Sequence, residues 1–454
     1  MIIAATLEDL LSSEVAAATP FRILTLVIFL AAITHTLLAH HFTSLAKKVA
    51  RKTGDSASIL SEILYFLGEI EVVFALWVIP LVIAVTAFFG FSEMIKYLNS
   101  RVYVEPFFIV VVMSLASSRP IFKLAEKGVH GIGKFFKDSA ESWWLTILTL
   151  GPIVGSVITE VAAMTIAALL LRKKIYTRHP SNRLAYGTMG LMFVNFSVGG
   201  VLTNFAAPPA LTLARCWNWD VMDFFSQFGW RVLVGIFLVN LIYFTLFRKD
   251  FRNLSPITHR EEDRREADQH KGPVPVWITC IHLGFLTWTI VMAHHLPIFF
   301  GSYLLYLGFH QATRMHQYRI NLKRPLMVGL FLAGLVIHGG FQGWWIEPLI
   351  GDLGYGAMMV TGTVLTAFNE NTTVAYLACL LDDLQPHIQY ALVSGLVAGG
   401  GLTIMAHAPN PVGQALLRPY FRTGISSLKV FLAALFPTLI FLLIFFVFPG
   451  APVD

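Results

Sequence analysis

Two glutamates lie inside long apolar segments, each at a point where small and polar residues interrupt the segment. Glu160 follows Thr159 in one segment, and Glu370 lies between Asn369 and Asn371 in the other. A carboxylate inside a bilayer costs roughly 2.5 kcal/mol or more to insert, so such a residue indicates a functional site. Oxygen ligands of these types suit small hard cations. Because burial favours a protonated carboxyl group and a bound cation favours the carboxylate, the pattern indicates exchange of a proton for a cation.

Two further interruptions supply the remaining oxygen ligands. Glycines and prolines break the apolar segments 184–215 and 388–418. Non-helical backbone at membrane depth is tolerated only where protein or a watery cavity covers it, so we expect all four interruptions to meet in one polar chamber. Two glutamates in that chamber would titrate as a coupled pair. The predicted ion- and proton-binding residues are Thr159, Glu160, Thr203, Asn204, Asn369, Glu370, Asn371, Thr372 and Thr403, and the hypothesised Na⁺ ligands are Glu160, Asn204, Asn369 and Glu370.

Structural roles for the same residues stay open. Either glutamate could instead hydrogen-bond a neighbouring helix end, and Asn204 and Asn371 have the side chain typical of a helix N-cap. His338 and His407 lie in apolar runs, where packing as a hydrogen-bonded polar residue competes with a role in proton relay.

The composition is that of a polytopic membrane protein. Of the 454 residues, 56% are hydrophobic and only 13% are charged, whereas a soluble domain carries about 25% charged residues. Apolar runs such as 23–38, 72–87, 233–246 and 430–448 approach the ~20 residues that span a bilayer. The net charge of +6 comes from short basic loops, and no basic stripe interleaved with aromatic residues indicates nucleic-acid binding. The acidic N-terminal segment 1–20 is unlike a signal peptide, so the first apolar run should be retained as a span.

The cysteines and histidines do not indicate a metal centre. Cys216, Cys280 and Cys379 are isolated in the sequence, so we expect neither a zinc site nor a disulfide framework. No HExxH motif occurs, and no Ser-His or Asp-pair signature indicates an enzyme. The only small-molecule partners expected are the transported cation and proton, with no cofactor, and the lipid bilayer is the expected environment.

Loop charges predict ten full crossings and two re-entrant hairpins, with both termini outside. The first hairpin, residues 143–171, has basic residues on both flanks and should enter from the cytoplasm. The second, residues 353–381, has no Lys or Arg on its flanks and should enter from the outside. The expected fold is therefore all-α, with about ten transmembrane helices.

Internal similarity predicts two inverted repeats, the arrangement that secondary transporters use for alternating access. The hairpins align without gaps at an offset of 370 − 160 = 210, and the broken helices share Gly-Gly-x-Leu-Thr at an offset of 200. We assign residues 1–58 to an N-terminal segment with an extra transmembrane helix and 59–248 to the first repeat. Residues 249–296 form a charged cytoplasmic linker and connecting helix, and 297–454 form the second repeat.

At these motifs the chain resembles the ion transporter superfamily, which includes arsenite efflux pumps and dicarboxylate–sodium symporters. It is most similar to a bacterial family described as Na⁺/H⁺ antiporters, over about residues 60–450. The resemblance implies a multi-pass protein of the bacterial inner membrane and a homodimer. The dicarboxylate branch carries Ser-Asn-Thr at the hairpin tips, whereas this chain carries Thr159-Glu160 and Asn369-Glu370-Asn371.

The preferred function is therefore cation/proton antiport, with Na⁺ the first candidate, by an elevator-type movement. The alternative is a Na⁺- or H⁺-coupled carrier of an organic or inorganic anion. It needs a cationic group in the core, and no Lys or Arg lies near the tips in the sequence, although helix N-termini can take that role.

Overall fold

The structure is a computed structural model that describes residues 19–53, 58–124, 127–128, 139–255, 273–293, 295–317, 320, 322–381, 384–421 and 424–450. Every regular element within these ranges is helical. The predicted positions of both termini and the charged stretch 256–272 of the linker lie outside them. The helices up to residue 252 are α1 (Thr19–Thr53), α2 (Ile59–Leu67), α3 (Ile70–Phe89), α4 (Phe91–Ser100), α5 (Val104–Ala116), α6 (Ala140–Ile158), α7 (Glu160–Lys174), α8 (Asn182–Gly199), α9 (Pro208–Cys216), α10 (Val221–Phe224) and α11 (Trp230–Arg252). The later helices are α12 (Val276–Val291), α13 (Leu296–Ala312), α14 (Lys323–Gly339), α15 (Gly343–Ile350), α16 (Tyr355–Phe368), α17 (Asn371–Ala378), α18 (Pro386–Gly399), α19 (Asn410–Leu417) and α20 (Ser427–Val447).

Long apolar helices make this a multi-pass membrane protein. Within the described ranges, five segments are long and apolar enough to cross a membrane, or six if the bent arms of α1 form one span. The five are Val72–Phe89, Ala140–Ile158, Asn182–Leu202, Val221–Arg252 and Ser427–Val447. Other predicted spans, α12 and α14 among them, are shorter apolar helices. The count of ten crossings stays a prediction.

One compact unit comprises Met1–Val110, Asn321–Asp352 and Leu380–Asp382. Within it α3 packs against α1 and α14. Gly334 of α14 lies directly against the backbone of Phe74 in α3, which allows the two helices to approach closely. The fully buried His338 places Nε2 3.2 Å from the carbonyl oxygen of Phe74. This contact fits the packed polar role considered for His338.

The second unit comprises Val111–Ile320, Leu353–Cys379 and Asp383–Asp454, and it contains all four interruptions. The apolar segment 143–171 forms the helix pair α6 and α7, which is broken at Thr159. The segment 353–381 forms α16 and α17, separated by Asn369 and Glu370. The predicted positions of both breaks are confirmed, because one helix ends and the next begins at each polar cluster.

The other two interruptions are also found where glycine and proline predict them. Helix α8 ends at Gly199 and continues as a single 3₁₀ turn, Gly200–Leu202, and α9 begins at Pro208. Helix α18 ends at Gly399, and α19 begins at Asn410 after Pro409. Proline lacks a backbone N–H and is favoured in the first turn of a helix, so both outer helices begin in the expected way. One carbonyl group of each interruption accepts a hydrogen bond from a hairpin, Ala206 O from Glu160 N and Ala406 O from Asn371 N.

The short helices pack crosswise in this unit. Helix α9, which follows the first interruption, packs against α17 of the second hairpin. Helix α19, which follows the second interruption, packs against α7 of the first hairpin. Each broken helix therefore contacts both hairpins, which brings the four interruptions to one place.

The expectation of no disulfide was wrong. Cys216 at the end of α9 is bonded to Cys379 at the end of α17, with their Cα atoms 5.6 Å apart and 163 positions between them in the sequence. Spacing in the sequence could not reveal the pair, because the crosswise packing of α9 on α17 brings the two residues together. The predicted topology places both helix ends outside the cell, where disulfides persist.

Reductant should therefore be needed before a maleimide reagent modifies Cys216 and Cys379, whereas the exposed Cys280 should react at once. The substitution Cys280→Ser removes the modification at Cys280, so that a gel shift on maleimide labelling reports only Cys216 and Cys379. Cys216→Ser is expected to lower the melting temperature, because the disulfide restricts the unfolded chain over a long loop. Full alkylation of the Cys280→Ser protein without reductant would contradict the pairing.

Candidate functional site

The first hairpin ends in a sharp turn at Thr159. Its φ of 88° is strained for a β-branched residue, and strain of this kind clusters at functional sites. Glu160 follows as the first residue of α7, with 2% of its surface exposed. Two hydrogen bonds hold this turn to the first broken helix, one from Thr203 Oγ1 to Ser156 O (2.7 Å) and one from Glu160 N to Ala206 O (3.4 Å).

The two oxygens of the Glu160 carboxyl group have different surroundings. Oε2 lies 2.5 Å from Nε2 of His407, which belongs to the interruption between α18 and α19. Both side chains are almost fully buried. The two atoms are within hydrogen-bond distance. Oε1 is also buried but has no hydrogen-bond partner among the described residues, so it is free to accept a ligand.

Because Gly200 has no side chain, Glu160 Oε1 can occupy the space where a Cβ atom would lie. A Cβ atom at position 200 would overlap Glu160 Oε1 and would also press on the side chain of Ala207. The glycine is therefore required by the close approach of the 3₁₀ turn to the carboxylate, and not only by the break in the helix.

The second hairpin is held to the second broken helix by a matching pair of hydrogen bonds. Thr403 Oγ1 donates to Ala367 O (2.9 Å), and Asn371 N donates to Ala406 O (2.9 Å). Asn371 is 1% exposed, and its Oδ1 has no hydrogen-bond partner in the part of the chain that the structure describes. The side chain of Asn371 therefore offers a second buried acceptor oxygen.

Glu370 is buried but turned towards its own helix. Its Oε2 accepts a hydrogen bond from Thr372 N, and its Oε1 accepts one from Thr372 Oγ1, both at 2.8 Å. It is the N-cap of α17. Both carboxylate oxygens are thus engaged by a single neighbour, in contrast to those of Glu160.

The two broken helices touch at the centre of the site. Ser197 Oγ donates to Val397 O at 2.7 Å. A Cβ atom at Gly400 would overlap Ser197 Oγ and lie 3.3 Å from Asn371 Nδ2. These contacts connect the first broken helix, the second broken helix and the tip of the second hairpin.

Two of the predicted residues, Asn204 and Asn369, have contacts other than those above. Asn204 Nδ2 is 3.5 Å from Trp219 O, and its side chain lines a cavity of about 430 Å³. Asn369 ends α16, and its backbone N–H donates to Leu365 O. The structure therefore brings together Thr159, Glu160, Thr203, Glu370, Asn371, Thr372 and Thr403 at the hairpin turns and breaks.

Sequence reasoning gave too little weight to three residues of the second and first interruptions. His407 was weighed only as one alternative, and Asn410 and Gly200 were not assigned to the site at all. His407 and Asn410 had a detectable signal in the sequence, because they are polar residues at membrane depth, three positions apart in a broken helix. The signal for Gly200 is the pair Gly199-Gly200 at the break of the other helix.

The arrangement can hold either a proton or a small cation. A proton on Glu160 is stabilised by the imidazole at Oε2, while a cation at Oε1 would be balanced by the carboxylate charge. Asn371 Oδ1 adds a neutral oxygen of the type that hard cations prefer. All of these atoms are buried, so any exchange must pass through a change of exposure.

The fold and this site define a multi-pass helical membrane protein with a buried carboxylate at the junction of broken helices, which is the construction of a secondary ion transporter. Residues 20–448 match the model of a family described as "Putative Na+/H+ antiporter", and the chain belongs to that family. A search of curated proteins finds no match.

Proposed function

We propose that the protein exchanges a monovalent cation, with Na⁺ the first candidate, for protons, and that the ions bind where the hairpin turns meet the broken helices. The observation that carries this proposal is Glu160, a buried carboxylate with one oxygen on His407 and the other without a partner in the described part of the chain. A buried carboxylate without a compensating charge is costly, so a proton or a cation must neutralise it.

Competition between the two ions couples their movements. A cation at Oε1 favours the carboxylate, and protonation of Glu160 removes the charge that holds the cation. Only one of the two occupants is then bound strongly at a time. Alternating exposure of such a site to the two sides of the membrane produces exchange.

Matched contacts support the two inverted repeats. Thr203 and Thr403, at an offset of 403 − 203 = 200, bond Ser156 and Ala367, at an offset of 367 − 156 = 211. The backbone N–H groups of Glu160 and Asn371 bond Ala206 and Ala406 in the same way. These pairs favour an offset of 211 for the hairpins, one more than the 210 inferred from the sequence.

With this offset the counterpart of Glu160 is Asn371, because 371 − 160 = 211. We assign proton–cation exchange to Glu160 and a neutral ligand role to Asn371. Glu370 and Thr372 organise the start of α17, and Thr159, Thr203 and Thr403 fix the two hairpin turns. Asn204 and Asn369 stay predicted ion-binding residues.

An elevator-type movement suits this construction. The hydrogen bonds and the disulfide Cys216–Cys379 tie the hairpins to the broken helices, so these elements would move as one body. We keep three proposals from the sequence analysis. The repeats comprise residues 59–248 and 297–454, the protein lies in the bacterial inner membrane with both termini outside, and it forms a homodimer. The disulfide Cys216–Cys379 agrees with that topology, which would place it outside, because disulfides persist in oxidising compartments.

One observation favours the alternative of an anion carrier. Arg215 lines the same cavity as Asn204, so a cationic group does lie near one interruption. Asp220 and Asp223 line that cavity too, and their two carboxylates outnumber the single guanidinium group. The balance of charge favours a cation.

Proteoliposomes with a preset pH gradient test the proposal. Addition of Na⁺, Li⁺, K⁺ or a dicarboxylate should give proton movement only with one or more of the alkali cations, and the Glu160→Gln protein should give none. A response to dicarboxylate alone would replace antiport with anion transport.

His407→Ala is expected to slow exchange strongly, because it leaves Glu160 Oε2 buried without a partner. His407→Gln should recover part of the rate, since the amide can donate a hydrogen bond to the same oxygen. The initial rate of Na⁺-driven proton movement measures both. Equal rates for the Ala and Gln variants would show that the hydrogen bond to Glu160 is not what matters.

A further inference from the structure

Asn410, the first residue of α19, is a fully buried side chain that the predicted site did not include. Its Nδ2 donates two hydrogen bonds, one to Gly400 O (2.9 Å) and one to Thr403 O (2.8 Å). Both amide hydrogens are thereby used, and both bonds run to backbone carbonyls of the second interruption.

The orientation of this amide is fixed by those bonds. Exchange of the amide nitrogen and oxygen would set Oδ1 against two carbonyl oxygens. Oδ1 therefore points away from Gly400 and Thr403, and it has no hydrogen-bond partner among the described residues. A buried acceptor left without a donor is unfavourable, so its presence calls for an explanation.

Asn410 is connected to both sides of the site. Its backbone N–H donates to His407 O at 3.0 Å, and His407 contacts Glu160. Gly400, which accepts from Asn410, adjoins the amide of Asn371. Glu160, Asn371 and Asn410, three residues that these contacts link, each have a buried oxygen with no hydrogen-bond partner within the described ranges.

We propose that Asn410 Oδ1 is a ligand of the transported cation and helps to select among alkali cations. The inference rests on the proposed function, because it assumes that the ion binds beside Glu160. Amide and carboxylate oxygens are ligands for hard cations. A ligand set of two neutral amides and the Glu160 carboxylate would carry a single negative charge, which matches a monovalent ion.

An asparagine at the position of Asn410 occurs in the second broken helix and not at the corresponding position of the first. At the offset of 200 that relates the broken helices, the residue corresponding to Asn410 is Ala210. Glu160 of the first hairpin is likewise matched by Asn371 of the second. The site is therefore asymmetric, with the carboxylate from one half of the chain and both amides from the other.

Asn410→Ala should raise the KM for Na⁺ about tenfold or more, the loss expected for about 1.4 kcal/mol of ion binding. It should also change the ratio of Li⁺ to Na⁺ transport rates, while the maximal rate falls less. The matched control is Asn240→Ala. Asn240 is also buried, but its Nδ2 donates to Thr149 Oγ1 and its Oδ1 accepts from Asn195 Nδ2, so both amide atoms are satisfied by protein.

The control should lower the melting temperature without changing the KM for Na⁺ or the Li⁺/Na⁺ ratio. An unchanged KM and ratio in Asn410→Ala, or the same change in both variants, would overturn the inference. If Asn410→Ala does not fold, Asn410→Ser takes its place, because serine retains an oxygen on a shorter side chain. Asn410→Ser should change the Li⁺/Na⁺ ratio of transport rates, and an unchanged ratio in this variant would also overturn the inference.

Thermal stabilisation by Na⁺ in detergent separates this inference from the proposed function. A ligand that binds the folded state raises the melting temperature, and it does so more the tighter it binds at a given concentration. If the wild type shows no exchange but is stabilised by Na⁺, and Asn410→Ala is not, antiport fails and the ligand role stands. If the wild type shows neither exchange nor stabilisation, both fail.

Discussion

Glu160→Gln is expected to abolish Na⁺-driven proton movement, whereas Glu370→Gln is expected to retain most of it. Glutamine at position 160 cannot carry a proton or balance a cation, although its size is almost unchanged. Glu370 differs because both its oxygens already accept hydrogen bonds from Thr372. Its replacement should chiefly weaken an N-cap, at a cost of about 1 kcal/mol in stability. Initial rates in proteoliposomes and melting temperatures in detergent measure the two effects.

The comparison of these two variants is informative because both glutamates are buried at hairpin turns. A general loss of folding would lower both rates and both melting temperatures. Abolished exchange in Glu370→Gln with a normal melting temperature would contradict the division of roles. In that case the coupled pair expected from the sequence would describe the site better than a single exchanging carboxylate.

Gly200→Ala is expected to reduce exchange to near background. The added methyl group would overlap Glu160 Oε1 and force the carboxylate away from its position. Small displacements of a reacting group can cost about a hundredfold in rate. Gly284→Ala is the matched control, because a Cβ atom there meets nothing within 4 Å. That variant should transport like the wild type.

A second substitution tests the cause of the Gly200 effect. Aspartate is one methylene shorter than glutamate, so Glu160→Asp should relieve the overlap in the Gly200→Ala protein. We expect the double variant to exchange faster than Gly200→Ala alone, even though Glu160→Asp slows the wild type. Such non-additivity is the signature of residues in contact. Strictly additive losses would show that Gly200 acts through the helix break and not through the carboxylate.

The breaks in the helices were predictable because their signals are local. Gly199-Gly200 and Pro208 mark one interruption, and the polar cluster around Glu370 marks another. Both are found within a residue or two of the predicted positions. Proline alone is not such a signal, because α6 and α20 continue through Pro152 and Pro437.

Pairings across the chain were not predictable in the same way. His407 meets Glu160 across 247 positions, and Cys216 meets Cys379 across 163. Only the packing of α19 on α7 and of α9 on α17 creates these contacts. The hairpin offset proposed above, 211, differs by one residue from the 210 inferred from the sequence, because apolar helices share Leu and Ala in any register. The Thr-to-carbonyl hydrogen bonds favour 211.

The most direct test of antiport is uptake of radioactive sodium into proteoliposomes that begin with equal Na⁺ on both sides and an imposed pH gradient. A coupled exchanger must accumulate Na⁺ in the compartment that protons leave, and it must stop when an ionophore dissipates the pH gradient. We expect accumulation with the wild type and none with Glu160→Gln. If the wild type fails to accumulate Na⁺, Li⁺ or K⁺ under a pH gradient, the exchange of cations for protons at Glu160 is contradicted.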